Sequence, residues 1–337
     1  MTTNFSQVSS SPTPAKQENR TVDNGNLDSC DCLWYFATDI NLVILFSFIC
    51  IVSIFGLVGN GAVIWLLGFR MKRTPFTTYV LNLAVADFGV LAFAFFSAVL
   101  LSLRHRSDRN LPYFSLYVMA IVLFRIMFSI SQFLLTIISM DRCVAVLFPI
   151  WYRCHRPEKL PAVLCALIWI FYFLAHGILT ALEEFVFEKK DLPLYVFLGN
   201  AVVCLPLILI STMVLFIRFC FNSQQHRRRK LLMAILLALL FFLFLAFPLN
   251  VMYLIHLHLV SSHEDDFPSL KVHILSVGYL CASVNSFVNP LIYFLVGLKK
   301  RGLCKENLRL ILQRVFKQEE EVYGEESQPS TQSQISA

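Results

Sequence analysis

The sequence predicts an all-α membrane protein: a seven-transmembrane helix bundle with a C-terminal amphipathic helix. Three observations carry that prediction. Hydrophobic residues make up 57% of the 337, charged residues only 15%, and 32 are Phe. A soluble core of this size could not hide so much apolar surface. Seven stretches reach the length of about 20 apolar residues that a helix needs to cross the hydrocarbon core. Once those stretches are threaded through a membrane, Lys and Arg collect on one side of it.

The spans are expected at Ile40–Leu67, Thr77–Leu101, Ser115–Leu147, Leu160–Leu182, Leu194–Phe219, Leu231–Leu257 and Val272–Gly297. They are too long and too uniformly apolar to be the short, alternating strands of a membrane barrel. Placing the N-terminus outside puts 19 of the 28 Lys and Arg on the inner loops and tail. That bias predicts a multi-pass plasma-membrane protein with its N-terminus extracellular and its C-terminus cytoplasmic. Two Asn-X-Ser/Thr sequons, at Asn4 and Asn19, then fall on the glycosylated side, so residues 1–39 are expected to be an extracellular glycosylated segment. This segment is polar and has no apolar signal-peptide core, which leaves the first span to act as its own uncleaved signal.

Residues 40–297 form the expected seven-helix domain. After it, "GLKKRGLCKENLRLILQRVFK" places Leu308, Ile311, Leu312 and Val315 on one helical face and basic residues on the rest. Residues 298–317 are thus expected to lie as an amphipathic helix on the lipid of the inner leaflet. Cys304 there is a candidate for palmitoylation, with a plain reduced thiol weighed equally. Residues 318–337 are acidic, then rich in Ser and Gln, as expected of a disordered tail. Its hydroxyls suit receptor kinases and arrestin docking, or are simply polar. Of the ten Cys, only Cys30 and Cys32 lie in a clearly polar segment, and their pairing is left open.

Polar residues inside a span need a partner or a purpose. Asn60, Asn82, Asp87, Arg125, Ser131, Gln132, Asn285, Ser286 and Asn289 all lie away from span ends. Interhelical glue explains any one of them. As a set, Asp87, Ser131, Asn285, Ser286 and Asn289 suggest a pocket of oxygen ligands, suited to a small hard cation or a bridging water network. Pro206, Pro248 and Pro290 interrupt the last three spans, giving either static kinks or hinges.

These features together resemble the rhodopsin-like (class A) G-protein-coupled receptors. The matching residues are "GLVGN" ending at Asn60, "NLAVAD" ending at Asp87, "MDRC" with Asp141 and Arg142, Trp169, Pro206, Pro248, and "NPLIY" with Asn289, Pro290 and Tyr293. Within that class, "VLFPIWYRCHRP", "KRTPFTTYVLNLAVAD" and "NPLIYFLVG" look like the Mas-related receptor subfamily, as does Cys143 after the Asp-Arg pair. The resemblance implies a receptor that converts binding of an extracellular ligand into activation of a heterotrimeric G protein. It implies that Asp141 holds Arg142 at rest, and that Asn289, Pro290 and Tyr293 belong to the same switch. It also implies a sodium ion as allosteric modulator, with Asp87 as its metal ligand and Ser131, Asn285, Ser286 and Asn289 around it. No other cofactor is expected.

Several positions depart from the class pattern. Ala246 replaces the usual sixth-span Trp, Val214 the usual fifth-span Tyr, and Tyr117 stands near the usual disulfide Cys. Arg228 stands where an acid often locks the switch arginine, so Asp141 is expected to be its only restraint and the resting state to be weak. Phe124 and Arg125 stand where amine receptors carry an Asp, which disfavours a simple amine ligand. Arg125 is expected to meet an anionic ligand group or to pair with Glu183 or Glu184. Acidic patches on the outer loops give a solvated rim, or a surface for a basic peptide or cationic amphiphile. The competing function is an ion channel or transporter using the polar pocket around Asp87. No His-Glu-x-x-His or Gly-x-Ser-x-Gly motif lies on a span, so an enzyme is not expected, and nucleic acid is not an expected partner.

Overall fold

A chain segment in lipid must satisfy its own backbone, and long apolar runs do so as helices. The computed structural model describes residues 27–71, 73–106, 112–157, 159–185, 192–221, 229–262 and 268–297. They form α1 (Leu27–Trp65), a π-helical turn (Leu66–Arg70), α2 (Pro75–Arg106), α3 (Pro112–Leu147), α4 (Pro149–Cys154), α5 (Leu160–Phe185), α6 (Leu192–Phe221), α7 (Arg229–Ser262) and α8 (Pro268–Gly297). Residues up to Asn41 constitute one unit, and the bundle begins at Leu42. The two sequons, Arg228, the 298–317 segment, Cys304 and the tail lie outside the described residues, as do the side chains of Cys30, Cys32, Glu183, Glu184 and Ala246.

Seven of these helices are long and apolar enough to cross a membrane, as the sequence predicts. Their ends overrun the apolar stretches: α2 continues to Arg106 and α7 runs from Arg229 to Ser262. Helical hydrogen bonding does not stop where the hydrocarbon does, so polar residues extend each rod. The short helix α4 was not anticipated, since "PIWYRC" reads as loop by composition. Pro149 occupies its first turn, where a missing N–H costs nothing. The start of α2 is set in the same way by Pro75, with Thr74 as cap: the Thr77 N–H donates to Thr74 Oγ1 at 3.2 Å, and the Thr74 N–H donates to Thr77 Oγ1 at 2.7 Å.

α3 is the central element, with 61% of its most apolar stretch buried, whereas α5 is peripheral at 22%. The α5 residues that face outward are large and apolar, including Leu167, Ile170, Phe171 and Leu174. On a soluble protein such a stripe would be an association surface; on a membrane span it faces lipid. The interior holds two apolar clusters. One gathers Val63, Leu83, Leu134, Ile208, Leu239 and Ile292. The other gathers Phe46, Ile49, Val90, Phe124, Phe128 and Tyr279.

The "GLVGN" stretch of α1 has a packing reason. A Cβ on Gly56 would lie 2.6 Å from Leu91 Cδ1 and 3.3 Å from Phe287 Cβ, and one on Gly59 would lie 3.0 Å from Pro290 Cγ. The glycines let α1 approach α2 and α8 closely, as small residues do between membrane helices. Gly56→Val is therefore expected to destabilise the fold by about 1–3 kcal/mol through overpacking. The check is the melting temperature of the purified protein in detergent; an unchanged value would rule out close packing at Gly56.

Candidate functional site

Among the described residues, three polar clusters interrupt the apolar interior. The first lies among α2, α3 and α8. Asp87 has no solvent exposure, and its carboxylate is fully engaged. Oδ1 accepts hydrogen bonds from the hydroxyls of Ser131 (2.7 Å) and Ser286 (2.9 Å), and Oδ2 accepts one from Asn289 Nδ2 (2.7 Å). Four of the five residues of the expected pocket, Asp87 included, thus meet in one network. The fifth, Asn285, is buried nearby on α8, and its Nδ2 has no hydrogen-bond partner. Asn60 extends the network to α1, donating through Nδ2 to the backbone oxygens of Gly56 and Ser286, each at 3.0 Å. The donor set is hard oxygen with a single carboxylate, which suits a monovalent cation better than a transition metal. Among the described residues no group of three His, Cys, Asp or Glu side chains could hold a metal.

The second cluster lies at the end of α3. Arg142 Nη2 donates to Asp141 Oδ2 at 2.9 Å, and both side chains are about 10% exposed. The Tyr152 hydroxyl, from α4, donates to the same oxygen at 2.9 Å. Arg156 Nη2 lies 2.7 Å from Asp141 Oδ1, and its Nη1 donates to the Tyr152 hydroxyl. The Arg142 guanidinium rests over the Phe76 ring, with Cζ 4.3 Å from its centroid, and Nη2 reaches the Tyr152 oxygen at 3.4 Å. This corrects the expectation that Asp141 alone restrains Arg142: an aromatic face and a phenol also hold it. Sequence reasoning missed Phe76, Tyr152 and Arg156. The available signal was the four-residue separation of Tyr152 and Arg156 between Pro149 and Pro157, close enough along the chain for the guanidinium to fold back over the Tyr152 ring.

The third cluster joins α3, α5 and α6. Tyr172 donates to Asn200 Oδ1 at 2.5 Å, and Asn200 Nδ2 donates to Gln132 Oε1 at 2.9 Å. Trp169 pins α5 to α2 separately, its Nε1–H donating to Asn82 Oδ1 at 3.0 Å.

Of the ligand candidates, Phe124 is fully buried, with its ring edge-on to Tyr279 at 4.4 Å. Tyr279 in turn lines an apolar cavity with Phe46, Ala98, Tyr117, Val272 and Ser276. Arg125 is partly buried on α3. Its suggested partners, Glu183 and Glu184, have no described side chains. Pro290 packs against Gly59, and Tyr293 lies buried in the apolar cluster with Ile292.

Seven membrane helices, a buried carboxylate network at their middle and an Asp-Arg pair at one end define a seven-helix membrane receptor. Residues 59–293 match the model of the family described as "7 transmembrane receptor (rhodopsin family)". The chain is 37% identical over 298 residues to "Mas-related G-protein coupled receptor member D" of Macaca fascicularis, covering 82% of this chain and 85% of that one. It is 33% identical to human "Proto-oncogene Mas", covering 80% and 82% of the two chains. It is 35% identical to "Mas-related G-protein coupled receptor member X2" of Rhinopithecus bieti, covering 92% and 93%. The chain belongs to the rhodopsin family of seven-transmembrane receptors, and within it to the Mas-related G-protein-coupled receptors. It is accordingly a multi-pass plasma-membrane receptor that couples to a heterotrimeric G protein, and not an enzyme.

Proposed function

We propose that Arg142 is the coupling residue, held at rest by Asp141 and freed to meet the G protein when ligand binding at the opposite end rearranges the bundle. The observation that supports this is the 2.9 Å Asp141–Arg142 pair, nearly buried and at the end of the central helix. Asn289, Pro290 and Tyr293 carry the change along α8: Asn289 is bound to Asp87, Pro290 interrupts the helix ladder, and Tyr293 lies buried beyond them. Asp87, Ser131, Ser286 and Asn289, with Asn285 alongside, would hold a sodium ion, which supplies a positive charge that stabilises the inactive arrangement. The N-terminus is extracellular and glycosylated at Asn4 and Asn19, and the C-terminus is cytoplasmic, with 298–317 on the inner leaflet and Cys304 open to palmitoylation. Receptor kinases and arrestin act on the tail. The ligand is a basic peptide or cationic amphiphile that meets the acidic outer loops, with Phe124, Arg125, Glu183 and Glu184 as pocket residues.

The decisive measurement uses the full chain in proteoliposomes and purified heterotrimers, with a panel of short basic peptides and cationic amphiphiles as probes. Probe-dependent nucleotide exchange on a G protein, without ion flux, is the expected result. Flux without exchange would overturn the proposal in favour of a channel or transporter.

A further inference from the structure

Asp141 is shared between two arginines. Oδ2 takes Arg142 and the Tyr152 hydroxyl, while Oδ1 takes Arg156 at 2.7 Å, the shorter of the two arginine contacts. Two guanidinium charges therefore meet one carboxylate where every side chain is a tenth exposed or less. Arg156 reaches this place by local geometry. It lies four residues after Tyr152, and its guanidinium stacks over the Tyr152 ring, with Cζ 4.5 Å from the centroid. Pro149 starts α4, and Pro157 disfavours helical backbone at Arg156, which lies beyond the end of that helix. The arginine is thus delivered by a short segment bounded by two prolines.

We infer that Arg156 is the counter-charge that stays with Asp141 when Arg142 leaves, and so is a positioning residue that eases activation; this rests on Arg142 being the coupling residue. A nearly buried carboxylate stripped of its only cation is an uncompensated charge, and that state is strongly disfavoured. With Arg156 on Oδ1 and Tyr152 on Oδ2, Asp141 keeps a cation and a donor after Arg142 departs. Arg142 meanwhile leaves a cluster of net positive charge, where repulsion from Arg156 already loosens its hold. Restraint by Asp141 without Arg156 would be tighter.

The test measures the apparent affinity of the full-length receptor, in nanodiscs and without agonist, for nucleotide-free heterotrimers of each G-protein class. Arg156→Gln is expected to lower that affinity roughly threefold to tenfold, the net range of one typical intramolecular polar contact. Asp141→Asn is expected to raise it. In the Asp141→Asn background, Arg156→Gln is expected to change it by less than about twofold, because the shared carboxylate is gone. A role in folding the α4 segment alone would persist in that background. Arg156→Lys keeps the charge and should recover most of the affinity. It carries the test if the Gln variant fails to reach the surface, because an affinity above wild type would mark Arg156 as a second lock. The inference is overturned if Arg156→Gln raises the affinity, leaves it unchanged, or lowers it equally in both backgrounds. If Arg142→Ala leaves the affinity intact, the coupling role of Arg142 is lost and this inference falls with it.

Discussion

Arg142→Ala is expected to abolish G-protein nucleotide exchange while leaving surface expression near wild type. The two outcomes separate because Arg142 contributes more to the switch than to the fold. Its guanidinium contacts Asp141, Tyr152 and Phe76, all at the end of the bundle. After truncation Asp141 keeps Arg156 and the Tyr152 hydroxyl, so no buried charge is stranded and the folding cost stays small. A G protein that depends on a cation at this place would lose it entirely. Exchange on purified heterotrimer and cell-surface labelling of the same transfectants provide the check. Undiminished exchange at normal expression would remove Arg142 from the mechanism.

Asp87→Ala is expected to have the largest effect on stability. It leaves the Ser131 and Ser286 hydroxyls and the Asn289 amide without their acceptor in a site with no exposure. Each stranded buried donor costs about 1–3 kcal/mol, and removing a buried carboxylate offsets part of the sum, so a net loss of roughly 3 kcal/mol is expected. Asp87→Asn should be milder. Its oxygen still serves both hydroxyls, and only the Asn289 amide then faces another amide nitrogen. Melting temperatures of the purified receptor should rank wild type above Asn above Ala. Replacing sodium chloride by N-methylglucamine chloride should lower the wild-type value and leave both variants unchanged. A sodium-dependent shift that survives in Asp87→Ala would place the ion elsewhere.

The spans were legible because the bilayer imposes a length and a polarity that any qualifying run must meet, so even α5, the least buried, was found from composition. The Asp87 network was legible for a related reason: a carboxylate in mid-span is costly, and the chain offered few polar partners to converge on it. The Asp141 cluster was only half legible. Arg156 lies in a connection where positive charge is expected for orientation alone, so its second use as a counter-ion left no separate mark. Tyr152 was hidden because α4 is six residues long, too short for periodicity to stand out. Phe76 stands one residue before its expected span and Tyr172 within an apolar run, and core packing is the default use of a ring in either place. The Tyr172–Asn200–Gln132 chain joins three helices, and no local pattern on α3, α5 or α6 announces which lone polar residue will meet which.

The contact of Gly59 with Pro290 has a mechanical consequence. Asn289 is tied to α2 through Asp87, and the ring of the next residue, Pro290, lies so close to α1 that a Cβ on Gly59 would sit 3.0 Å from its Cγ. The weak point of α8 is thus clasped between two neighbouring rods. If α8 bends there, it cannot do so as an isolated strut. Either α1 slides with it, or a gap opens that the Gly59 side cannot fill. α1 carries none of the switch residues, yet it acts as the backstop that sets how far, and in which direction, α8 can flex.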